Sequence, residues 1–366
     1  LSQVKERTMN WPKVRDDLAL ITGYHSPQVE VKIRLNTNES PYAPPERWMD
    51  NLQKEISEID WNRYPDRGAD LLKESLASFH EVKTTNIAAG NGSNEILQSL
   101  FLAYGGTGRS VGIFEPTFPM HSYVAKITGT NVITAERNSS FKIDEKIANS
   151  VLAAKPELLL ITSPNNPTGI VETEELINFL LEECTRTGAL LIVDEAYSEF
   201  SKWSATELIA DDRPIVVTKT FSKTWSMASV RLGYMIGPEV IVEALDKVLL
   251  PYHLDSFQQV AGRLALEHVD EMNERVEILS SERERVATAM SQLPIDQWES
   301  GANFILFKPN ENAKVNGQQI WESLLERSIL IRNFSSFPRL EGYLRVTIGA
   351  KEENSMFLSA LKEILE

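Results

Sequence analysis

Cysteine is nearly absent from this chain. Cys184 is the one thiol among 366 residues, which excludes an intramolecular disulfide framework and a multi-cysteine zinc site. It follows Leu181-Glu182-Glu183 in a helical pattern, where the buried face of a helix accounts for it. The five histidines, His25, His80, His121, His253 and His268, lack metal-ligand spacing and read as structural or surface residues, so no metal is expected. Long apolar runs are missing as well. No stretch of about twenty apolar residues offers a membrane-spanning helix, and Leu1-Ser2-Gln3-Val4-Lys5-Glu6-Arg7 lacks the apolar core of a signal peptide. No membrane partner is expected, and the cytoplasm is the expected compartment. Basic charge is in deficit, with 37 Lys and Arg against 52 Asp and Glu for a net charge of -15. No basic stripe interleaved with aromatics offsets it, so nucleic acid is excluded as a favoured partner.

What is present describes a soluble, folded chain: 42% hydrophobic and 24% charged residues lie near globular averages. The length exceeds one ordinary core and implies a large domain with a smaller one. Residues 1–33 carry Pro12 and Pro27 with little periodicity and read as an N-terminal arm. Residues 34–250 form the expected large domain. Short β-branched runs at 110–114, 131–135, 157–162, 189–193, 214–218 and 232–236 read as strands. Amphipathic segments such as 172–186 read as helices between them, which is the alternation of an α/β fold with a mostly parallel sheet covered on both faces. Residues 251–366 read as a smaller α+β domain, with a long charged helical pattern at 256–291 and strands at 303–307, 329–332 and 343–348.

Four motifs fall at the ends of these runs. Gly90-Asn91-Gly92-Ser93-Asn94-Glu95 precedes a helical pattern beginning at Ile96. Asn165-Asn166-Pro167-Thr168-Gly169 follows the strand ending at 162, and Asp194-Glu195-Ala196-Tyr197 ends the run before it. Ser222-Lys223 is followed eight residues after the lysine by Arg231-Leu232-Gly233-Tyr234. Each alone has an ordinary reading as a turn, a helix cap or a surface charge. Together, in this order, they supply what pyridoxal 5'-phosphate requires.

Lysine is the side chain that holds an aldehyde cofactor as a reversible Schiff base, which assigns Lys223 as attachment point and proton carrier. A buried carboxylate keeps the pyridine nitrogen protonated, the role expected of Asp194. Asn166 and Tyr197 offer donors to the phenolate oxygen. The glycine-bounded start of the helix near Gly92, Ser93 and Asn94 suits the phosphate, joined by Thr220, Ser222 and Arg231. Phe118, in Glu115-Pro116-Thr117-Phe118-Pro119, suits stacking on the ring.

Over nearly its whole length the chain resembles the fold-type I pyridoxal-phosphate-dependent aminotransferases, and within them the histidinol-phosphate aminotransferases. The narrower likeness rests on Leu35-Asn36-Thr37-Asn38-Glu39-Ser40-Pro41-Tyr42, Arg63-Tyr64-Pro65-Asp66, Leu344-Arg345-Val346-Thr347-Ile348-Gly349 and Tyr24-His25-Ser26. The resemblance implies that Arg345 grips an acidic group of the substrate, that Arg332 is a second anion-binding arginine, and that Tyr24 approaches the substrate phosphate. It further implies that Tyr64 reaches the cofactor phosphate of a neighbouring subunit, making the enzyme a homodimer. The implied reaction is transfer of the amino group of L-histidinol phosphate to 2-oxoglutarate in a ping-pong cycle. The sequence departs from the family at Asn94, where aspartate is usual, at Phe118, where tyrosine is usual, and across Thr224 to Val230. An aromatic amino-acid aminotransferase, a decarboxylase of a phosphorylated amino acid and a non-catalytic ligand sensor stay open as alternatives.

Overall fold

A computed structural model describes residues 11–19 and 29–366. The described strands in chain order are β1 Ile33–Leu35, β2 Ile87–Gly90, β3 Ser110–Glu115, β4 Asn131–Glu136, β5 Leu158–Thr162, β6 Leu190–Asp194, β7 Ile215–Thr220, β8 Gly233–Ile236, β9 Ile295–Gln297, β10 Phe304–Pro309, β11 Ile329–Asn333 and β12 Leu344–Thr347. They form a seven-stranded sheet of order β2-β8-β7-β6-β5-β3-β4 and a five-stranded sheet of order β1-β11-β12-β10-β9. In the larger sheet only β8 runs against its neighbours, which matches the expected mostly parallel α/β architecture.

Every residue of β5, β6 and β7 is buried, apolar up to the polar residues at their carboxyl ends, as a sheet covered on both faces demands. Alternation sorts the side chains. Leu158 and Leu160 pack with Ile96, Leu97 and Phe101 on one face. Leu159 and Ile161 pack with Val151, Ile177 and Leu180 on the other. Each such leucine or isoleucine contributes roughly 1.5–3 kcal/mol by leaving water. The helix Glu174–Thr187 illustrates the local code: the Leu176 N–H donates to Thr173 Oγ1 at its start, and Gly188 ends it at φ 77°. Cys184 lies on its buried face.

Three strands escaped the sequence reading. β2 reads Ile-Ala-Ala-Gly, and β1 and β9 have three residues each, too short for a period of two to register. β1 pairs in parallel with β11, Ile33 opposite Ile329 and Leu35 opposite Ile331, so the segment across the expected boundary at residue 34 belongs to the second sheet. The pattern at 256–291 is two helices, Ser256–Ala265 and Val269–Met290, broken by a 3-10 turn at Leu266–His268. The second helix buries Met272 with Trp48 and Leu72, then Leu279, Val286 and Met290 in the core of the five-stranded sheet. One continuous apolar stripe serves two cores, a division that periodicity cannot display. Among the described residues no helix is long and apolar enough to cross a membrane.

Candidate active site

β2, β3, β5, β6 and β7 all end on one rim of the larger sheet, the edge where open parallel sheets bind ligands. Opposite stand the residues after β1 and the facing strands β11 and β12. A cavity of about 200 Å³ lies between, and Ser93, Asn94, Phe118, Asn166, Asp194, Tyr197, Thr220, Ser222, Lys223, Arg231, Arg332 and Arg345 all line it. Tyr24 lies outside the described residues. Tyr64 is not in this cavity: it is 80% exposed and stacks on Tyr252 with ring centroids 4.6 Å apart.

Lys223 is half-buried in the cavity wall, and its amine donates to the carbonyl of Thr37 over 3.0 Å. Burial, with the nearby cations Arg345 and Arg231, pushes its pKa down to about 8 against the opposing pull of Glu39. An amine so tuned is uncharged often enough to attack a carbonyl and to carry a proton near neutral pH. Tyr197 presents its ring 5.7 Å from the ammonium, and its hydroxyl accepts a bond from Asn38 Nδ2 at 2.9 Å. Asn38 is itself tied to Thr347 Oγ1 through its backbone N–H and its side-chain oxygen, each at 3.0 Å.

Asp194, 3% exposed at the end of β6, accepts from His121 Nε2 at 2.9 Å. His121 has no exposure, and its ring meets Phe118 edge-on at 5.6 Å. Its expected place as a structural or surface histidine is therefore corrected, since it orients a cavity carboxylate. Its position three residues after Phe118, opening the helix Met120–Ile127, was the available signal. A second network holds the loops carrying Phe118 and Asn166: Thr117 Oγ1 donates to Asn165 Oδ1 at 2.8 Å, and Asn165 Nδ2 donates to the Pro116 carbonyl at 3.0 Å. Arg345 donates from Nη1 to Asn166 Oδ1 and from Nη2 to the Asn36 carbonyl at 2.9 Å. Asn36, Thr37 and Asn38, which the sequence offers as motif residues without individual roles, line the cavity, as do Phe334 and Phe337, which belong to no motif.

The residues fit pyridoxal 5'-phosphate at its most demanding end, the phosphate. The helix Ser93–Tyr104 begins at Gly92 with no side-chain cap, leaving its first N–H groups for an anion. Gly92 stands at φ 75°, where a Cβ would come within 2.8 Å of Arg231 Nη2. A Cβ on Gly233 would meet the Ser93 nitrogen at 2.3 Å. Both glycines keep this cradle open. Arg231 Nη1 reaches Ser222 Oγ at 3.2 Å, and Thr220 Oγ1 reaches the same hydroxyl at 3.1 Å. Arg231 holds a left-handed φ of 56°, a conformation costing roughly 1–2 kcal/mol outside glycine, so the surrounding structure sets its aim.

Comparison with known proteins adds ancestry to this geometry. The family model for aminotransferase class I and II matches residues 30–361. A histidinol-phosphate aminotransferase of Mycobacterium sp. (strain JLS) is 40% identical over 365 residues, covering 96% of this chain and 94% of that protein. One from Corynebacterium diphtheriae is 36% identical, covering 99% of each. Among solved structures, the histidinol-phosphate aminotransferase of Sinorhizobium meliloti in complex with pyridoxal-5'-phosphate superposes with a TM-score of 0.83 at 22% identity, covering 92% of this chain and 91% of that one, a likeness of fold.

Proposed function

The chain belongs to the class I and II aminotransferases, and from that premise we propose that it transfers the amino group of L-histidinol phosphate to 2-oxoglutarate. The observation that carries the choice of substrates is the pair of arginines. Arg332 and Arg345 are Cα partners across β11 and β12 and line the same cavity as Lys223. Both substrates bear an anionic group beyond the reacting end, and guanidinium forks bind phosphate and carboxylate alike. The full-length relatives named for histidinol phosphate support the same reading.

Pyridoxal 5'-phosphate is the cofactor, and when bound it supplies the electron sink that lets a proton leave the substrate Cα. Lys223 would hold it, and its amine, once freed, would carry the proton that leaves the substrate Cα. Asp194, aimed by His121, holds the proton on the pyridine nitrogen. Asn166 and Tyr197 donate to the phenolate oxygen, and Asn166 links that contact to Arg345. Ser93, Asn94, Thr220, Ser222 and Arg231 would hold the phosphate, and Phe118 in the cavity wall would face the ring. Arg345 takes the phosphate of the donor or the carboxylate next to the acceptor's keto carbon, and Arg332 takes the acceptor's second carboxylate. Tyr64, standing outside its own cavity, serves the site of a second copy in a homodimer.

An aromatic amino acid as donor is the competing reading, favoured by the rings of Phe118, Phe334 and Phe337 in the cavity wall. A half-reaction titration separates the two. L-Histidinol phosphate added to the cofactor-loaded enzyme should discharge the visible absorbance of the lysine-bound cofactor at micromolar concentration, with L-phenylalanine far weaker. Preference for phenylalanine would overturn the proposed donor. Lys223→Ala should lower turnover by roughly 10²–10⁴-fold or more, the span of a lost acid-base group, and intact turnover would refute its role.

A further inference from the structure

Arg332 and Arg345 enter one cavity from paired positions, where like charges repel each other. One ring is close to both. Phe334 has the Arg332 Cζ 5.8 Å from its ring centre and the Arg345 Cζ at 5.4 Å. The Phe337 ring lies 5.7 Å from the same Arg332 Cζ, and the two phenylalanine centroids are 5.1 Å apart at 60°. Two aromatic rings thus sit side by side against the Arg332 guanidinium. An aromatic face attracts a cation and orients it.

These rings are themselves fixed. Phe334 is 4% exposed, packed with Phe141, Ile170, Leu306 and Leu340. Phe337 is half-buried and begins the stretch Phe337-Pro338-Arg339, in which Arg339 Nε stands 2.6 Å from Glu136 Oε1 at the end of β4. The loop between the two arginines is therefore tied to the larger sheet, and its rings are held against the cavity rather than swung into solvent.

We infer that Phe337, together with Phe334, is a positioning residue for Arg332, and that this aromatic cradle sets the enzyme's preference for dicarboxylate over monocarboxylate acceptors. The inference rests on the proposed reading of Arg332 as receptor of the acceptor's second carboxylate. It assigns specificity to side chains that need make no polar contact with substrate. Phe337 is the residue to vary, because it packs only at the margin of the hydrophobic cluster that holds Phe334.

Succinate and propionate are suitable probes, being unreactive and differing by one carboxylate. Calorimetric titration of each into the cofactor-loaded enzyme gives their dissociation constants. Phe337→Ala should weaken succinate about tenfold, equivalent to about 1.4 kcal/mol, and propionate by less than about twofold. Phe337→Leu should be as weak as alanine, whereas Phe337→Tyr should come within about twofold of wild type. Equal loss on both probes, or full rescue by leucine, would overturn the inference, since either would mean that bulk rather than a ring face matters. Arg332→Met is the control. If it loses succinate selectivity while Phe337→Ala keeps it, the aromatic cradle alone is refuted. If Arg332→Met keeps selectivity, the reading of Arg332 fails and the inference fails with it.

Discussion

Lys223 sits where its own charge is disfavoured. An unfolded lysine titrates near 10.5, and burial with Arg345 and Arg231 nearby brings the folded one down to about 8. Between these values the unfolded chain binds more protons, so stability rises with pH across that window and the penalty is complete below it. Lys223→Met in the cofactor-free protein should therefore raise the urea midpoint at pH 7, with the advantage shrinking as pH approaches 10. A lower midpoint at pH 7 would mean that the bond to Thr37 outweighs the buried charge. Cys184 shows the opposite sign of the same effect: burial and Glu183 push its thiol up to about 12, leaving it unreactive.

Among the elements, the junction of β6 with the turn after it has the most concentrated polar support. Lys219, in β7 opposite Tyr234 of β8, places its ammonium 3.0 Å from Glu195 and 3.7 Å from Glu199, and it donates to Ser198 Oγ. Glu195 also accepts from Ser204 Oγ at 2.5 Å and from the Ala205 N–H at 2.6 Å. This pins the turn that carries Tyr197 over the cavity. Removing the cation strands buried carboxylates, which typically destabilises by about 3–5 kcal/mol. Lys219→Met should lower unfolding free energy by that order in urea, and Lys219→Arg by much less. An unchanged midpoint for methionine would show that the network contributes no net stability.

The whole molecule carries an apolar surface that its own fold leaves uncovered. Trp61, Tyr64 and Leu250 are 72%, 80% and 75% exposed, and Tyr252, 42% exposed, stacks on Tyr64. With a net charge of -15, association must overcome general repulsion, so a local apolar contact would have to supply the drive. A second copy seated here would bring Tyr64 to the neighbouring site, as the proposed homodimer requires. Leu250→Glu should convert the sedimenting species from dimer to monomer and weaken cofactor retention together. A monomeric wild type, or a variant that stays dimeric, would remove this surface from the interface.

The order of the motifs along the chain was enough to identify the cofactor chemistry, because each element of the site is local. A glycine-bounded helix start, a carboxylate ending an apolar strand and a lysine beside a serine are legible in a few residues. The six strands read in the large domain were equally legible, being β-branched or apolar runs four to six residues long, five of them largely buried and only β4 half-exposed. What depended on distant pairing was not. β1 joins β11 across nearly three hundred residues, which carries Thr37 to Lys223 and Asn38 to Tyr197, and no local pattern encodes that meeting. His121 gained its role from Asp194, 73 positions away. Phe334 and Phe337 gained theirs from the approach of two arginines. Residue type and neighbours along the chain determine what a group can do; burial, long-range register and the charges brought around it decide whether it does so.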